Sequence, residues 1–393
     1  MEVNADQLLR DTLREWAEET PTPVGADLAG RALLRRSRRR VTGVTVAVAA
    51  FALLVGGVAI PVLAESDQPG YSGPGRMMDN DVSAHPGESP PRHLIAAGDV
   101  AVSAYQADRK TRKQGGAERT TYTWYLYDPG TQQYEKTDWG WVDVAPGMRR
   151  AAVLEKTLPA SRVGILDMTT GKVTKWIPLE HKAGGVQWSP DGKRLVVTTY
   201  SGYPDIEALY GGEHTAPKRT GYYLVDVASG RTRYRPMDVD DSKAIVTSGR
   251  ADVRWNRDGK LLLVPWPPGG AIETWYDLKG QPSKKTPSYE GWDAPPAGLS
   301  PDGRYYTVGD GWTATVKETG THRTVGPSSI GMTLAWADSG RLVRWDCRPD
   351  HSCQRGDNER LVLTDPTGHI KIPLSGYRYS DTPQDWDPLI TRR

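Results

Sequence analysis

Cys347 and Cys353 are the only cysteines among 393 residues, and His351 lies between them. Two thiols with an imidazole raise two chemistries, a disulfide and a metal site. A structural zinc takes four protein ligands, and no further candidate ligand follows nearby. The expectation is a Cys347–Cys353 disulfide in an oxidising compartment, with about 2 kcal/mol from so short a ring. A second cluster joins Ser189, Asp191 and Lys193 in "QWSPDGKRLVV", and it recurs as Ser300, Asp302 and Arg304 in "GLSPDGRYYTV". Serine, aspartate and a base together invite a catalytic reading, so the elements that carry them decide the matter.

The cluster belongs to a repeat. "VRWNRDGKLLLV" around Gly259 and "LAWADSGRLVRW" around Gly340 keep the glycine and change the residues before it. A catalytic Ser–Asp pair would not survive that variation between equivalent units, whereas a turn does. Proline presets φ for a type I turn, serine bonds back to it, and glycine takes the left-handed position of a bulged hairpin. Weaker copies centre on Gly98 and Gly147, and a second hairpin pattern follows each copy, at Gly130, Gly171, Gly230, Gly280, Gly320 and Gly368. The two kinds of glycine alternate strictly, so each unit reads as four short strands with tight turns after the first and third. One such unit cannot bury both faces of its sheet, but units of 37–67 residues stacked around an axis can. The expected fold class is all-β, a six-bladed β-propeller of four-stranded blades, over residues 93–393.

"WSPDGKRLVV" followed by "YLVDVASGRTRY" resembles the repeat of TolB-like six-bladed propellers, over roughly residues 93–374. A WD40 reading is weaker, since Trp345-Asp346 occurs once and without its Gly-His partner. The resemblance implies a binding or scaffolding domain and brings no catalytic residues with it.

Ahead of the repeats, residues 41–64 carry no charge over 24 positions. As a helix they reach ~36 Å, enough for a ~30 Å hydrocarbon core. Six arginines lie between Arg31 and Arg40, and Glu65 and Asp67 follow the apolar run. The positive-inside bias puts residues 1–40 in the cytoplasm and the propeller outside, at a cell membrane crossed once. A cleaved signal peptide fits less well, because both its charged and its apolar regions would be too long. Residues 1–40 read as a short helical segment, with Leu9, Leu13 and Trp16 on one face. Residues 65–92, rich in Pro and Gly, read as a stalk.

Chain direction puts the tight turns on one face of the disc and the long loops on the other. Three loops stand out on that second face. The first unit's carries Arg109, Lys110, Arg112 and Lys113; the third unit's carries Tyr203, Tyr210 and His214; the sixth unit's holds the cysteines. In a six-bladed ring the first and sixth would be neighbours. Ligand-facing residues are expected there, since loops carry function more often than scaffolds do.

Other chemistry finds little support. Lys+Arg number 50 against 48 Asp+Glu, which leaves no basic excess for nucleic acid. No G-x-S-x-G elbow and no Gly-rich phosphate loop is present. The acidic run Asp238–Asp241 lacks EF-hand spacing, and no histidine pair shows ligand spacing apart from His351 near the cysteines. No catalytic residue, cofactor or metal is assigned. The expected function is non-catalytic binding of a protein, peptide or cell-envelope ligand at the loop-rich face. The alternative is a transmembrane regulator of the anti-sigma type, with the propeller as sensor and residues 1–40 docking a cytoplasmic protein. Regulators of that type often carry a His/Cys zinc motif, and the first 84 residues contain neither residue.

Overall fold

A computed structural model describes residues 81–112, 118–207, 219–237, 250–267, 271–309, 313–326, 329–349, 351, 357–380, 382 and 385–393. The side chains of Arg112, Glu207, Ser329 and Ile330 fall outside that description. So do residues 1–80, and with them the expected cytoplasmic segment, membrane helix and the start of the stalk.

Among the described residues there is no helix, and the strands form consecutive antiparallel meanders in a propeller-like all-β fold. The second meander runs Trp141–Val144, Arg150–Leu154, Ala160–Asp167 and the first half of Lys172–Trp188. The second half of that 17-residue strand opens the third, which continues through Arg194–Tyr200, Arg219–Asp226 and Thr232–Pro236. The fourth is built on Arg254–Trp255, Leu261–Pro265 and Glu273–Asp277, the fifth on Tyr305–Gly309 and Thr313–Glu318. Single bridges at Pro282, Leu299 and Thr324 supply their remaining edges. Thr333–Trp336, Leu342–Cys347, Glu359–Thr364 and Lys371–Pro373 form the sixth.

The first meander is made from both ends of the chain. Asp387–Arg392 pairs with Val100–Arg112, which pairs with Glu118–Asp128 and then Gln133–Lys136. The repeat pattern puts this unit's first strand just before Gly98. The structure instead gives the place on that edge to the C-terminal tail, and leaves only Ala96–Ala97 as a short partner of Val100–Ala101. The physical reason is the edge: a long strand with free N–H and C=O groups is a liability unless something pairs with it.

Each sheet buries its faces against its neighbours. One cluster packs Ala104, Trp124 and Leu126 of the first unit on Val142, Ala151 and Val153 of the second. Another packs Ala152, Val163 and Ile165 of the second on Leu195, Val197 and Tyr223 of the third. The last joins Val343, Trp345 and Leu361 of the sixth to Val102, Tyr105 and Tyr134 of the first. The sixth and first meanders are therefore packed against each other.

The SPDG stretches are turns. Gly192 N donates to Ser189 O at 2.8 Å, and Arg194 N donates to Ser189 Oγ at 2.9 Å. Ser300 repeats this, with Gly303 N to Ser300 O at 3.0 Å and Tyr305 N to its Oγ at 2.9 Å. Where the serine is replaced, Asn256 Oδ1 accepts from Leu261 N at 2.8 Å in its stead. The hydroxyl is thus committed to the hairpin, and Gly192 and Gly303 sit at φ 66° and 74°.

The tryptophans ahead of these turns have a structural task. Trp188 Nε1 donates to Asp143 O at 3.2 Å, Trp255 Nε1 to Gln187 O at 3.2 Å, and Trp336 Nε1 to Gly298 O at 3.1 Å. Each buried indole therefore caps a carbonyl of the preceding unit's inner strand while filling the space between sheets. Phenylalanine could fill that space but has no N–H to donate, which accounts for part of the chain's excess of Trp (14) over Phe (1).

Candidate functional site

Two cavities lie along the first strands of successive units, one beside the tight turns and one beside the loops, and they are called here the turn-side and loop-side mouths of a channel. The cavity on the turn side, about 500 Å³, is lined by Ser189, Pro190, Arg257, Pro301 and the C-terminal Arg392 among others. The cavity on the loop side, about 410 Å³, takes Tyr122, Trp141, Asp143, Asp252, Arg254 and Trp292 into its wall. Asp143 and Gln187 line both.

A simple rule places these side chains. Counted from the residue that anchors each turn, the position two before it is Asp143, Gln187, Arg254 and Ala335 in the second, third, fourth and sixth units. All four line one or both cavities. The turn anchor fixes the register, and the period of two in a strand then sends this position to the channel.

The electrostatics of the loop-side mouth centre on Arg250. Its guanidinium donates from Nη2 to Asp205 Oδ2 at 2.7 Å and from Nη1 to Asp252 Oδ2 at 2.8 Å, and it stacks 3.7 Å from the Trp141 ring centroid. Asp252 Oδ1 accepts the Tyr200 hydroxyl at 2.7 Å. Burial and the nearby Asp252 carboxylate push the Tyr200 hydroxyl far up, so it stays protonated and donates. Burial weakens the charge on Arg250, but the two aspartates more than offset it and hold the guanidinium firmly charged. This set is closed on itself.

Two donors at the same mouth are not. Arg254 stacks its guanidinium 4.1 Å from the Trp292 ring centroid, and among the described residues no carboxylate pairs with it. The indole N–H of Trp124 is buried without an acceptor. Asp143 adds a switchable acid. Burial pushes its carboxyl up to about 7, although it accepts Trp188 N at 2.6 Å. Burial weakens the charge on Arg254 and the nearby Asp252 partly restores it. The mouth therefore presents a stacked cation that no described carboxylate pairs with, between aromatic walls, an arrangement that binds an acidic or hydrogen-bond-accepting group. Among the described residues no nucleophile–base pair faces it.

Of the residues singled out by sequence, those that the structure describes do not line this cavity. Arg109 and Lys110 do not sit in a loop. The hairpin strands continue outward, pairing Gln106–Arg112 with Glu118–Trp124, so both side chains are exposed at its far end. Lys110 Nζ lies 3.8 Å from Glu118. Arg112 ends its strand, and Lys113 lies outside the described residues, as do Tyr210, His214 and Cys353. Tyr203 is half-buried and holds loops together. Its hydroxyl donates to Thr120 O at 2.8 Å, and Arg119 lies 3.9 Å above its ring. Ile206–Glu207 then pairs with Glu118–Arg119, so the third unit's loop is stitched to the first unit's hairpin. Cys347 ends its strand in the sixth unit. Sequence reasoning missed Arg250, Asp252, Arg254 and Asp143, and the position rule above is the signal that would have found the last two.

No family model matches the sequence, and no curated protein matches it. Solved structures do. TolB from Acinetobacter baumannii aligns at 15% identity and a TM-score of 0.35, over 69% of this chain and 63% of its own. This chain thus spans less than two thirds of that structure. A chain of the mitotic checkpoint complex aligns at 12% identity and a TM-score of 0.38, over 89% of this chain and 99% of its own.

Proposed function

We propose that the chain is a single-pass membrane protein, N-terminus in the cytoplasm, that displays a six-bladed, TolB-like propeller outside the cell as a non-catalytic binding module. Residues 41–64 are the proposed anchor. The blade count is supported by the meanders and by the pairing of Asp387–Arg392 with Val100–Gln106, which ties the last stretch of chain to the first sheet. A Cys347–Cys353 disulfide in the sixth unit's loop belongs to the same reading.

The ligand is a protein, peptide or envelope component that enters the loop-side mouth with an acidic group. The observation that carries this is Arg254, stacked on Trp292 and without a carboxylate partner among the described residues. Titrating the full chain in detergent with peptides bearing a free C-terminal carboxylate, and with amidated controls, tests it through tryptophan fluorescence. A saturable change with the free acids, absent with the amides and lost in Arg254→Met, is expected. Equal responses to acid and amide, or an unaffected Arg254→Met, would overturn the reading. An active alkaline-phosphatase fusion at the C-terminus is expected of the proposed topology, and an inactive one would reverse it.

A further inference from the structure

Residues 81–95 enter the sheets along the line where the sixth unit meets the first. Ser83 bridges Ala96, His85 N donates to Leu374 O at 2.9 Å, and Gly376 N donates to Glu88 O at 2.7 Å. Tyr134 N donates to Arg92 O at 3.0 Å, and His93 bridges Gln133. One short segment is thereby bonded to both sides of the closure.

That segment folds two imidazoles and a carboxylate together. Ligand atoms of His85, Glu88 and His93 all lie within 4.8 Å of one another, and all three residues are half-buried. The imidazole rings of His85 and His93 have centroids 5.2 Å apart. Glu88 Oε1 lies 2.6 Å from His93 Nδ1, while its Oε2 accepts Arg92 N at 2.7 Å and His93 N at 3.0 Å. Those backbone bonds fix the carboxylate in place whether or not the imidazole is beside it. Among the described residues the His85 imidazole makes one polar contact, 3.3 Å from Nε2 to Ser83 Oγ.

A clasp between Glu88 and His93 alone would need no second imidazole. The second imidazole is what turns the clasp into a ligand set. Two nitrogens and one oxygen suit zinc, which takes four ligands at about 2.0–2.2 Å, and they do not suit calcium or magnesium, which take oxygen. Four-coordinate zinc brings its ligand atoms to roughly 3.3 Å from each other, so the rings must close in by rotation about their side-chain torsions. We propose that His85, Glu88 and His93 bind a zinc ion, with water as the fourth ligand, that locks the incoming segment onto the closure of the ring. The ion takes neutral imidazoles and an ionised carboxylate as ligands, and any proton those groups carry passes to solvent. This proposal is independent of the ligand proposed for the loop-side mouth.

The test uses the tag-free full chain in detergent, stripped with chelator and then dialysed against micromolar zinc. One zinc per chain is expected by elemental analysis, together with a higher melting temperature. Cobalt in its place should give the visible bands of a four-coordinate site. His85→Ala should bind zinc at least about tenfold more weakly and lose the metal-dependent rise in melting temperature. Because His85 is the ligand least involved in holding the segment, this variant should melt like the stripped wild-type protein. Glu88→Gln, which keeps the backbone acceptor but not the charge, should weaken zinc as well. No zinc on the wild-type chain overturns the proposal, and so does equal uptake by His85→Ala, which would place the ion elsewhere.

Discussion

Arg250 and Asp205 form a two-pronged ion pair between consecutive units, Nε to Oδ1 at 2.5 Å and Nη2 to Oδ2 at 2.7 Å. Asp205 follows the third unit's second strand and Arg250 precedes the fourth unit's first. The pair therefore fixes the rim of the loop-side cavity. The Asp205 side chain is 5% exposed and that of Arg250 16%. Removing one partner of such a pair is far costlier than removing both, because a charge is left buried. Asp205→Ala should destabilise the protein by about 3 kcal/mol, less whatever Asp252 continues to offset. Arg250→Met combined with Asp205→Ala should recover at least part of that. Denaturant unfolding of the singles and the double checks it, and strictly additive losses would show that the pair is not coupled.

Asp143 gives the channel a pH dependence whose sign can be stated. Burial raises its carboxyl from 3.8 to about 7 in the folded chain. Between those values the folded state holds a proton that the unfolded state has lost. Stability therefore falls as pH rises through that window, by on the order of 2–4 kcal/mol. Asp143→Asn keeps an acceptor for Trp188 N–H and carries no charge at any pH. Relative to wild type, the variant should gain stability between pH 5 and pH 8. A difference in unfolding free energy that stays flat across that range would show that Asp143 titrates normally.

The SPDG turn should behave as architecture under mutation. Ser189→Ala leaves Arg194 N–H without its acceptor and removes a hydroxyl bonded to Asp191 at 2.5 Å, so about 1 kcal/mol should be lost. A Cβ at Gly192 meets nothing nearer than Pro146 at 3.7 Å, so Gly192→Ala is penalised for its φ of 66° rather than for space. About 1 kcal/mol is expected there too. Ser189→Asn should be the mildest, since Asn256 already performs the same task in the next unit. Thermal melts of the three variants test the order, and a turn variant that abolished binding at the opposite mouth without a change in melting would reopen the catalytic reading.

These variants also mark how far the sequence reaches. The hairpins were legible because their determinants are local: an anchor, a proline and a glycine within four positions of Ser189. The task of Trp188, Trp255 and Trp336 was hidden, because the carbonyl each one caps belongs to the previous unit. Arg254 and Asp143 were accessible to a count of two from each turn anchor, once the inner strand was known to face a channel. Long loops drew attention instead, and part of the most prominent one proved to be the strand pairing Gln106–Arg112 with Glu118–Trp124. His85, Glu88 and His93 follow neither helical nor strand periodicity. Only the irregular path of residues 81–95 across the closure brings them together.

The C-terminal strand, Asp387–Arg392, offers the most decisive experiment. Ser103 Oγ and Thr391 Oγ1 lie 2.7 Å apart across the closure, and Gly147 N of the second unit donates to Arg392 O at 2.8 Å. Deleting residues 387–393 would strip the partner from Val100–Gln106 and remove Ile390 and Arg392 from the channel wall. The exposed edge lies on a strand whose residues Val100–Tyr105 are buried, the combination that drives edge-to-edge association. The truncated chain should elute as soluble aggregate and be cut rapidly by protease within residues 98–112. A peptide spanning residues 385–393, added in excess during refolding, should restore a monomeric and protease-resistant form. A truncated protein that melts like the full chain would mean that the strand decorates the ring without closing it.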